Sequence, residues 1–252
     1  MTLRFPIIRY IILLLFLPLP GKAEKKPFNP DLRIGVSGGV NLSKISFHPV
    51  IDKEKFAVGY NGGITARWTT ERYFGLQGEV NYSVRGWIRE FIQQKHIDGG
   101  YEYSRGINYI EVPLMTHVYF GNNVRGFINI GPKISFYLNE NEHCNFRDDL
   151  KENVIDSISA YRFFAEVGRP VQKKIDWGIC GGGGLEVRTR TGSYIVEARY
   201  YFGLGNIFDS AVGLNENGQI KNPFDRSAFS NISVNVVYLI PIFGNKKQRM
   251  NK

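Results

Sequence analysis

Apolar and polar residues alternate with period 2 in eight separate runs between Leu32 and Leu239, the pattern of strands with one greasy and one polar face. The clearest pair lies within 177–207 and predicts two antiparallel strands joined by a tight turn over 189–192. On the first arm Ile179, Leu185 and Val187 share one face, and Asp176, Cys180, Glu186 and Arg188 share the other. On the second, Tyr194, Val196, Ala198, Tyr200 and Phe202 oppose Ser193, Glu197, Arg199 and Gly203. The remaining runs predict strands over about 32–43, 56–69, 74–85, 107–120, 124–138 and 228–239, the last stopped by Pro241, which cannot donate to a ladder.

The segments between these runs alternate long and short. Loops are expected at 44–55, 87–105, 139–175 and 206–227, with short links between them. One face of each strand is apolar and aromatic and the other carries charges of both signs. A soluble sandwich or a lipocalin-like barrel would show the same alternation with the faces inverted. Strand length decides against these: runs of 9 to 15 residues with aromatics toward their ends match a tilted membrane crossing better than the ~5–6 residues usual in soluble sheets. The expected fold is all-β, an eight-stranded antiparallel up-and-down transmembrane β-barrel with four long loops outside and both termini in the periplasm.

The N-terminus supports export. Arg4 and Arg9 precede an apolar run at 11–17, and Gly21-Lys22-Ala23 is a small-x-small cleavage site, so residues 1–23 are expected to be a signal peptide. A polar leader over 24–31, a barrel over 32–243 and a basic tail over 244–252 complete the expected organisation. The net charge of +9 includes Arg4, Arg9 and Lys22, so cleavage leaves a moderately basic chain. The excess forms no aromatic-interleaved stripe, and nucleic acid is set aside as a partner. Cys144 and Cys180 fall in unlike places, a polar loop and a strand, and are expected to be two separate thiols.

Four stretches carry a family resemblance: Tyr109-Ile110-Glu111-Val112-Pro113-Leu114, Phe127-Ile128-Asn129-Ile130-Gly131-Pro132, residues 177–186, and Glu197-Ala198-Arg199-Tyr200-Tyr201-Phe202-Gly203-Leu204-Gly205-Asn206-Ile207. They resemble the PorT-like outer-membrane β-barrel domain of Gram-negative bacteria, a group within the porin family of small OmpA/OmpX-like barrels. The resemblance covers about 32–239. It implies insertion in the outer membrane and contact with outer-membrane lipid, and no cofactor. For function it implies a non-enzymatic structural or accessory envelope role, with binding through loops or rim to envelope or secretion-system proteins. The alternative is a small-solute porin or channel. The chain departs from the pattern by running past Phe243 into the basic tail instead of closing on a strand-final aromatic.

The candidate chemistry sits on the polar face. Arg33, Arg67, Glu79, Glu111, Lys133, Glu186, Glu197 and Arg199 are expected to form a structural ion-pair network in a narrow lumen, where unpaired charge is costly. His117 lies among them, and a lipid-modifying enzyme would need it beside a nucleophile or carboxylate. Glu111 is too far along the same strand, so a packed lumenal histidine is expected. Glu140, Glu142, His143, Cys144, Asp148 and Asp149 match no metal-loop spacing and read as a solvated acidic stretch. Gly181, Gly182, Gly183 and Gly184 lie within a strand with no helix following, so close packing or curvature explains them better than a phosphate cradle. Lys25, Lys26, Arg72, Arg188, Arg190, Lys246, Lys247, Arg249 and Lys252 are expected at the periplasmic rim, facing acidic headgroups, a partner or solvent.

Overall fold

The structure is a computed structural model that describes residues 28–48, 54–91, 101–144, 168–209 and 225–243. The expected signal peptide, residues 24–27 of the expected polar leader and the expected basic tail lie outside the described residues. Eight strands follow one another: β1 (Asp31–His48), β2 (Glu54–Thr69), β3 (Phe74–Phe91), β4 (Tyr101–Gly121), β5 (Val124–Cys144), β6 (Ile175–Arg188), β7 (Ser193–Gly203) and β8 (Arg226–Phe243). Each is antiparallel to its neighbour, and β1 pairs with β8 to close the sheet. The eight-stranded up-and-down topology is the one the alternation predicts.

Register fixes the shape. From Leu32 the paired positions run through Trp68, Leu76, Thr116, Ile130, Gly181, Tyr200 and Ile232, and return to β1 at Leu42, ten residues farther along. A shear of this size on eight strands goes with a tilt of roughly 35–45° and an interior wide enough only for side chains. The wall made by β1 is thin, because its inward positions are Gly35, Ser37, Gly39, Asn41 and Ser43. Long side chains from the other strands fill the room it leaves.

Outward positions form an apolar belt around the whole barrel. Val36 is 61% exposed, Val58 76% and Leu114 57%. Trp68, Phe74, Phe120 and Tyr194 edge the belt near the short turns, and Phe56, Tyr82, Phe136 and Trp177 edge it near the long connections. A continuous exposed apolar surface of this kind is disfavoured in water and suits lipid, with the aromatics at the two interfaces.

Beyond the belt, toward the long connections, the sense of alternation reverses. On β1 the outward Ile34, Val36, Val40 and Leu42 give way to Lys44, Ser46 and His48, while the inward residues become Ile45 and Phe47, both buried. On β4 the outward set changes from Ile110, Val112 and Leu114 to Glu102, Ser104 and Asn108, and the inward set becomes Tyr103, Ile107 and Tyr109. On β1 and β4 the collar is therefore polar outside, and its inside combines an aliphatic and aromatic layer with the buried Arg89 and Arg105, on top of a membrane zone that is apolar outside.

The collar accounts for the main corrections to the sequence expectations. Strands run beyond the apolar alternation: β1 and β2 take up most of 44–55, leaving only 49–53 between them, and β3, β4 and β5 extend into the expected loops. A bulge at Leu138 adds one residue to β5, since Tyr109 faces Tyr137 while Asn108 faces Asn139. It shifts the inward set from Lys133, Ser135 and Tyr137 to Glu140, Glu142 and Cys144. Pro241 does not end β8. It pairs with Arg33 at a bulge in the β1–β8 ladder, and the β7–β8 ladder has already ended at Leu239, so its missing N–H costs no bond there.

The turn expected over 189–192 is present, with the Thr189 amide donating to the Gly192 carbonyl at 2.8 Å. The glycine run lies inside β6. A Cβ on Gly182 would stand 2.1 Å from the Ala198 carbonyl oxygen and one on Gly184 2.2 Å from that of Val196, so close approach of β7 requires glycine at both.

Candidate functional site: the filled lumen and its two mouths

All eight residues expected in the lumen point inward, and the structure sorts them into three groups. Nearest the short turns, Arg67 on β2 reaches Glu186 on β6, on the opposite wall, at 3.1 Å and also binds Gln77 at 2.7 Å. Glu186 further accepts from Arg188 at 3.0 Å and from the Ser193 hydroxyl at 2.6 Å. Arg33 does not join the network through another of the expected residues. It pairs with Asp31 at 2.7 Å and donates to Ser193, and Asp31 also takes Arg188 at 3.2 Å. Arg188, expected on the rim, instead ties these carboxylates together.

At mid-height Arg199 on β7 spans the barrel to Glu79 on β3, with its two terminal nitrogens 2.8 and 2.5 Å from the two carboxylate oxygens. Arg199 also holds Glu197 at 2.5 Å. Gln77 and Asn81 donate to Glu79 at 2.6 and 2.8 Å, satisfying the remaining lone pairs. Two arginines thus brace opposite walls, Arg67 across one diameter and Arg199 across the next.

The third group surrounds Arg85, at the end of the alternating run over 74–85. Its guanidinium lies 3.0 Å from Glu111 and 3.0 Å from Asp176, and the rings of Tyr109, Phe229 and Tyr201 stand 4.3, 4.8 and 5.2 Å from it. Lys133 completes the set by pairing with Glu111 at 3.0 Å over the face of Tyr201. The Tyr201 hydroxyl donates to Asp176 at 3.0 Å.

Above Arg85 an aromatic layer closes the lumen. Trp87 meets Phe47 and Phe229 edge-on, with centroids 6.1 and 6.0 Å away, and Phe208 stacks on Phe47 at 6.3 Å. Phe208 comes from the segment after β7. That segment is held by the Ile207 amide donating to Ser227 and by the Ile207 carbonyl accepting from Gln172 and Lys173. Glu140 and Glu142 are not a solvated stretch: Glu140 pairs with Arg105 at 2.7 Å, and Glu142 accepts from the Tyr103 hydroxyl and the Gly168 amide, both at 2.7 Å. The bulge at Leu138 is what turns both carboxylates inward. Asp148 and Asp149 lie outside the described residues, and no group of three or more metal-ligating side chains occurs among the described ones.

His117 is buried between the rings of Tyr119 and Phe127, at 5.4 and 5.2 Å, with its Nδ1 2.7 Å from the Asn129 side-chain oxygen. These neighbours pack it and offer no nucleophile. Cys144 and Cys180 are free thiols in separate environments.

The solved structures similar to this chain include three outer-membrane proteins. The crystal structure of OprG from Pseudomonas aeruginosa is 12% identical with a TM-score of 0.45, covering 84% of this chain and 93% of its own. Ail, the attachment invasion locus protein of Yersinia pestis, is 12% identical with a TM-score of 0.35, covering 82% and 98%. Outer Membrane Protein W of E. coli is 14% identical with a TM-score of 0.34, covering 81% and 96%. No curated protein matches the chain. Residues 23–209 match the family described as outer membrane protein beta-barrel domain, a span that takes in most of the strands described above. The chain belongs to the outer membrane protein beta-barrel domain family and is an outer-membrane barrel.

Proposed function

We propose that this barrel is a non-conducting, non-enzymatic scaffold in the outer membrane, with a structural or accessory role exercised through its loop end and its turn-end rim. The observation that carries this reading is the filled lumen. Arg67, Arg85 and Trp87 are each at most 1% exposed, and with the Arg199–Glu79 brace they mark successive levels between the two mouths. A small-solute channel would need a path through these levels, and each level is crossed by paired charges or closed by rings. An unpaired ion in such an interior costs several kcal/mol, so opening a path by breaking pairs is uphill at every step. The packing of His117 against two rings and an asparagine supports the absence of a catalytic role.

In this reading the short turns and both termini face the periplasm and the long connections face outward, as in up-and-down barrels of even strand number. Partners are outer-membrane lipid around the belt and envelope proteins at the two ends. The resemblance to PorT-like proteins favours assistance to protein secretion as the process. Planar-bilayer recording on the refolded barrel is expected to show no unit conductance steps; regular steps from correctly folded protein would overturn the reading. Comparing surface and secreted proteins between wild-type cells and a deletion strain then tests the accessory role. Loss of a defined set supports assistance to secretion, and an unchanged set removes it.

A further inference from the structure

We propose that the turn-end mouth is a docking site for a carboxylate-bearing peptide, centred on Arg125. This deepens the scaffold reading, on which it rests, by naming a partner chemistry for one of its ends. At the turn end of the lumen Arg33, Arg67 and Arg188 share two carboxylates, Asp31 and Glu186. Arg125 is a fourth cation at this end. It pairs in register with Glu186, yet both oxygens of Glu186 are taken, one by Arg67 and the other by Arg188 and Ser193. Asp31 is shared in the same way between Arg33 and Arg188.

Arg125 is nonetheless held in place. Its Nε donates to the Asn122 carbonyl at 2.9 Å, and its guanidinium stacks 4.3 Å from the Tyr119 ring. Those contacts, with the side-chain hydrogen bond it shares with Tyr119, fix the guanidinium at a half-buried position and leave it without a carboxylate of its own. Arg67, whose Nη1 holds Glu186, has a buried terminal nitrogen, Nη2, without a hydrogen-bond partner. Arg33, Arg67, Arg125 and Arg188 therefore meet two carboxylates at this mouth, and a further carboxylate would find a positioned planar fork with cations on either side. The adjacent strand ends are locked together, with the Arg188 amide donating to the Asn123 carbonyl at 2.8 Å, so the site is preorganised.

A peptide fits better than a lipid phosphate. Arg33, Arg125 and Arg188 line the mouth, inside the ring of Trp68, Phe74, Phe120 and Tyr194 that faces lipid, with Arg67 buried behind them, so a ligand arriving along the barrel axis meets these three and a headgroup outside the ring is separated from them.

The test uses the full chain refolded in zwitterionic micelles and fluorescein-labelled hexaglutamate, followed by anisotropy. Saturable binding is expected, with Arg125→Gln weakening it about fivefold, the size of one half-exposed charge-assisted contact. Arg125→Lys, which keeps the charge and loses the fork, is expected to fall between the two, and Lys44→Gln at the far end is expected to bind like wild type. Heat-shifted migration on a denaturing gel checks that each variant is folded. Equal affinity in wild type and Arg125→Gln, or no saturable binding, would overturn the site. Vesicle binding that requires phosphatidylglycerol and is unchanged in Arg125→Gln, without competition from the peptide, would overturn it in favour of a lipid surface. A conducting barrel that still binds hexaglutamate would remove the scaffold reading alone; a silent barrel that fails to bind would remove this proposal alone.

Discussion

Replacing Arg85 by Leu tests whether the lumenal charges act as one connected structure. The side chain is 0% exposed, and its removal leaves two carboxylates in unequal states. Glu111 keeps Lys133 at 3.0 Å, whereas Asp176 keeps only the Tyr201 hydroxyl, a neutral donor. Removing one partner of a buried pair costs about 3–5 kcal/mol, chiefly because the other charge stays buried. The three surrounding rings add cation–π terms of ~0.5–2 kcal/mol each that do not sum independently with the ion pairs. Arg85→Leu is therefore expected to destabilise the barrel by about 3–5 kcal/mol. The double variant Arg85→Leu/Asp176→Leu removes the stranded charge and is expected to recover about 1–3 kcal/mol of that loss. Equilibrium urea unfolding in lipid vesicles, read by tryptophan fluorescence, measures both, with Trp87 next to Phe229 reporting locally. A single variant within ~0.5 kcal/mol of wild type, the range of an inconsequential surface change, would refute the reasoning. So would a double variant less stable than the single.

Three further outcomes follow from the same geometry. Leu114→Arg, in the middle of the outward belt, is expected to cost about 2–4 kcal/mol in the vesicle assay, while Ser46→Glu on the outside of the collar changes stability by less than ~0.5 kcal/mol; similar effects at both sites would place the lipid boundary wrongly. Gly182→Val is expected to abolish the heat-shifted gel form, because its Cβ alone would stand 2.1 Å from the Ala198 carbonyl oxygen, and a normally folded variant would contradict the close approach of β6 and β7. Phe208→Ala is expected to remain electrically silent in planar bilayers, since the Arg85 group and the Arg199–Glu79 brace still cross the lumen below it; unit steps would show that the aromatic layer alone holds the barrel closed.

Where residue character alternates about a lipid-facing belt, the sequence was readable. Strand number, order, the 189–192 turn and the inward set from Arg33 to Arg199 all depend on a period of 2 with apolar residues outside. Arg85, Trp87 and Arg89 keep that period on the inside, with Val84, Gly86 and Ile88 outside, but a tryptophan set between two arginines on the inward face blurs the apolar–polar contrast, so the pattern stops at residue 85. Parity failed for a second reason at Glu140 and Glu142: the extra residue at Leu138 reverses the face of everything after it, and a bulge leaves no mark in composition. Pro241 was misplaced because a proline excludes a ladder bond only on a side where one is offered, and β7 has ended before it is reached. Ion-pair partners were beyond reach of a one-dimensional pattern. That Arg67 meets Glu186 and Arg199 meets Glu79 follows from the shear of the closed sheet, which sets the two ends of each pair level on opposite walls.

The two zones divide the work of stability from the work of contact. In the membrane zone the outside is fixed by lipid and the charged inward positions by their ion pairs, so Arg67, Glu79, Glu186 and Arg199 have little freedom to vary. In the collar on β1 and β4 the outward face is polar, and substitutions such as those at Ser46 or Ser104 face water with no lipid to satisfy. Arg85 stands where the two meet, with carboxylates on one side and rings on the other. Its ion pairs belong to the lumenal network, while Tyr109 and Phe229 belong to the collar's core. Changes in the collar's outer face can therefore accumulate without reaching the network, and that is the condition for a rigid barrel to carry a variable outer surface.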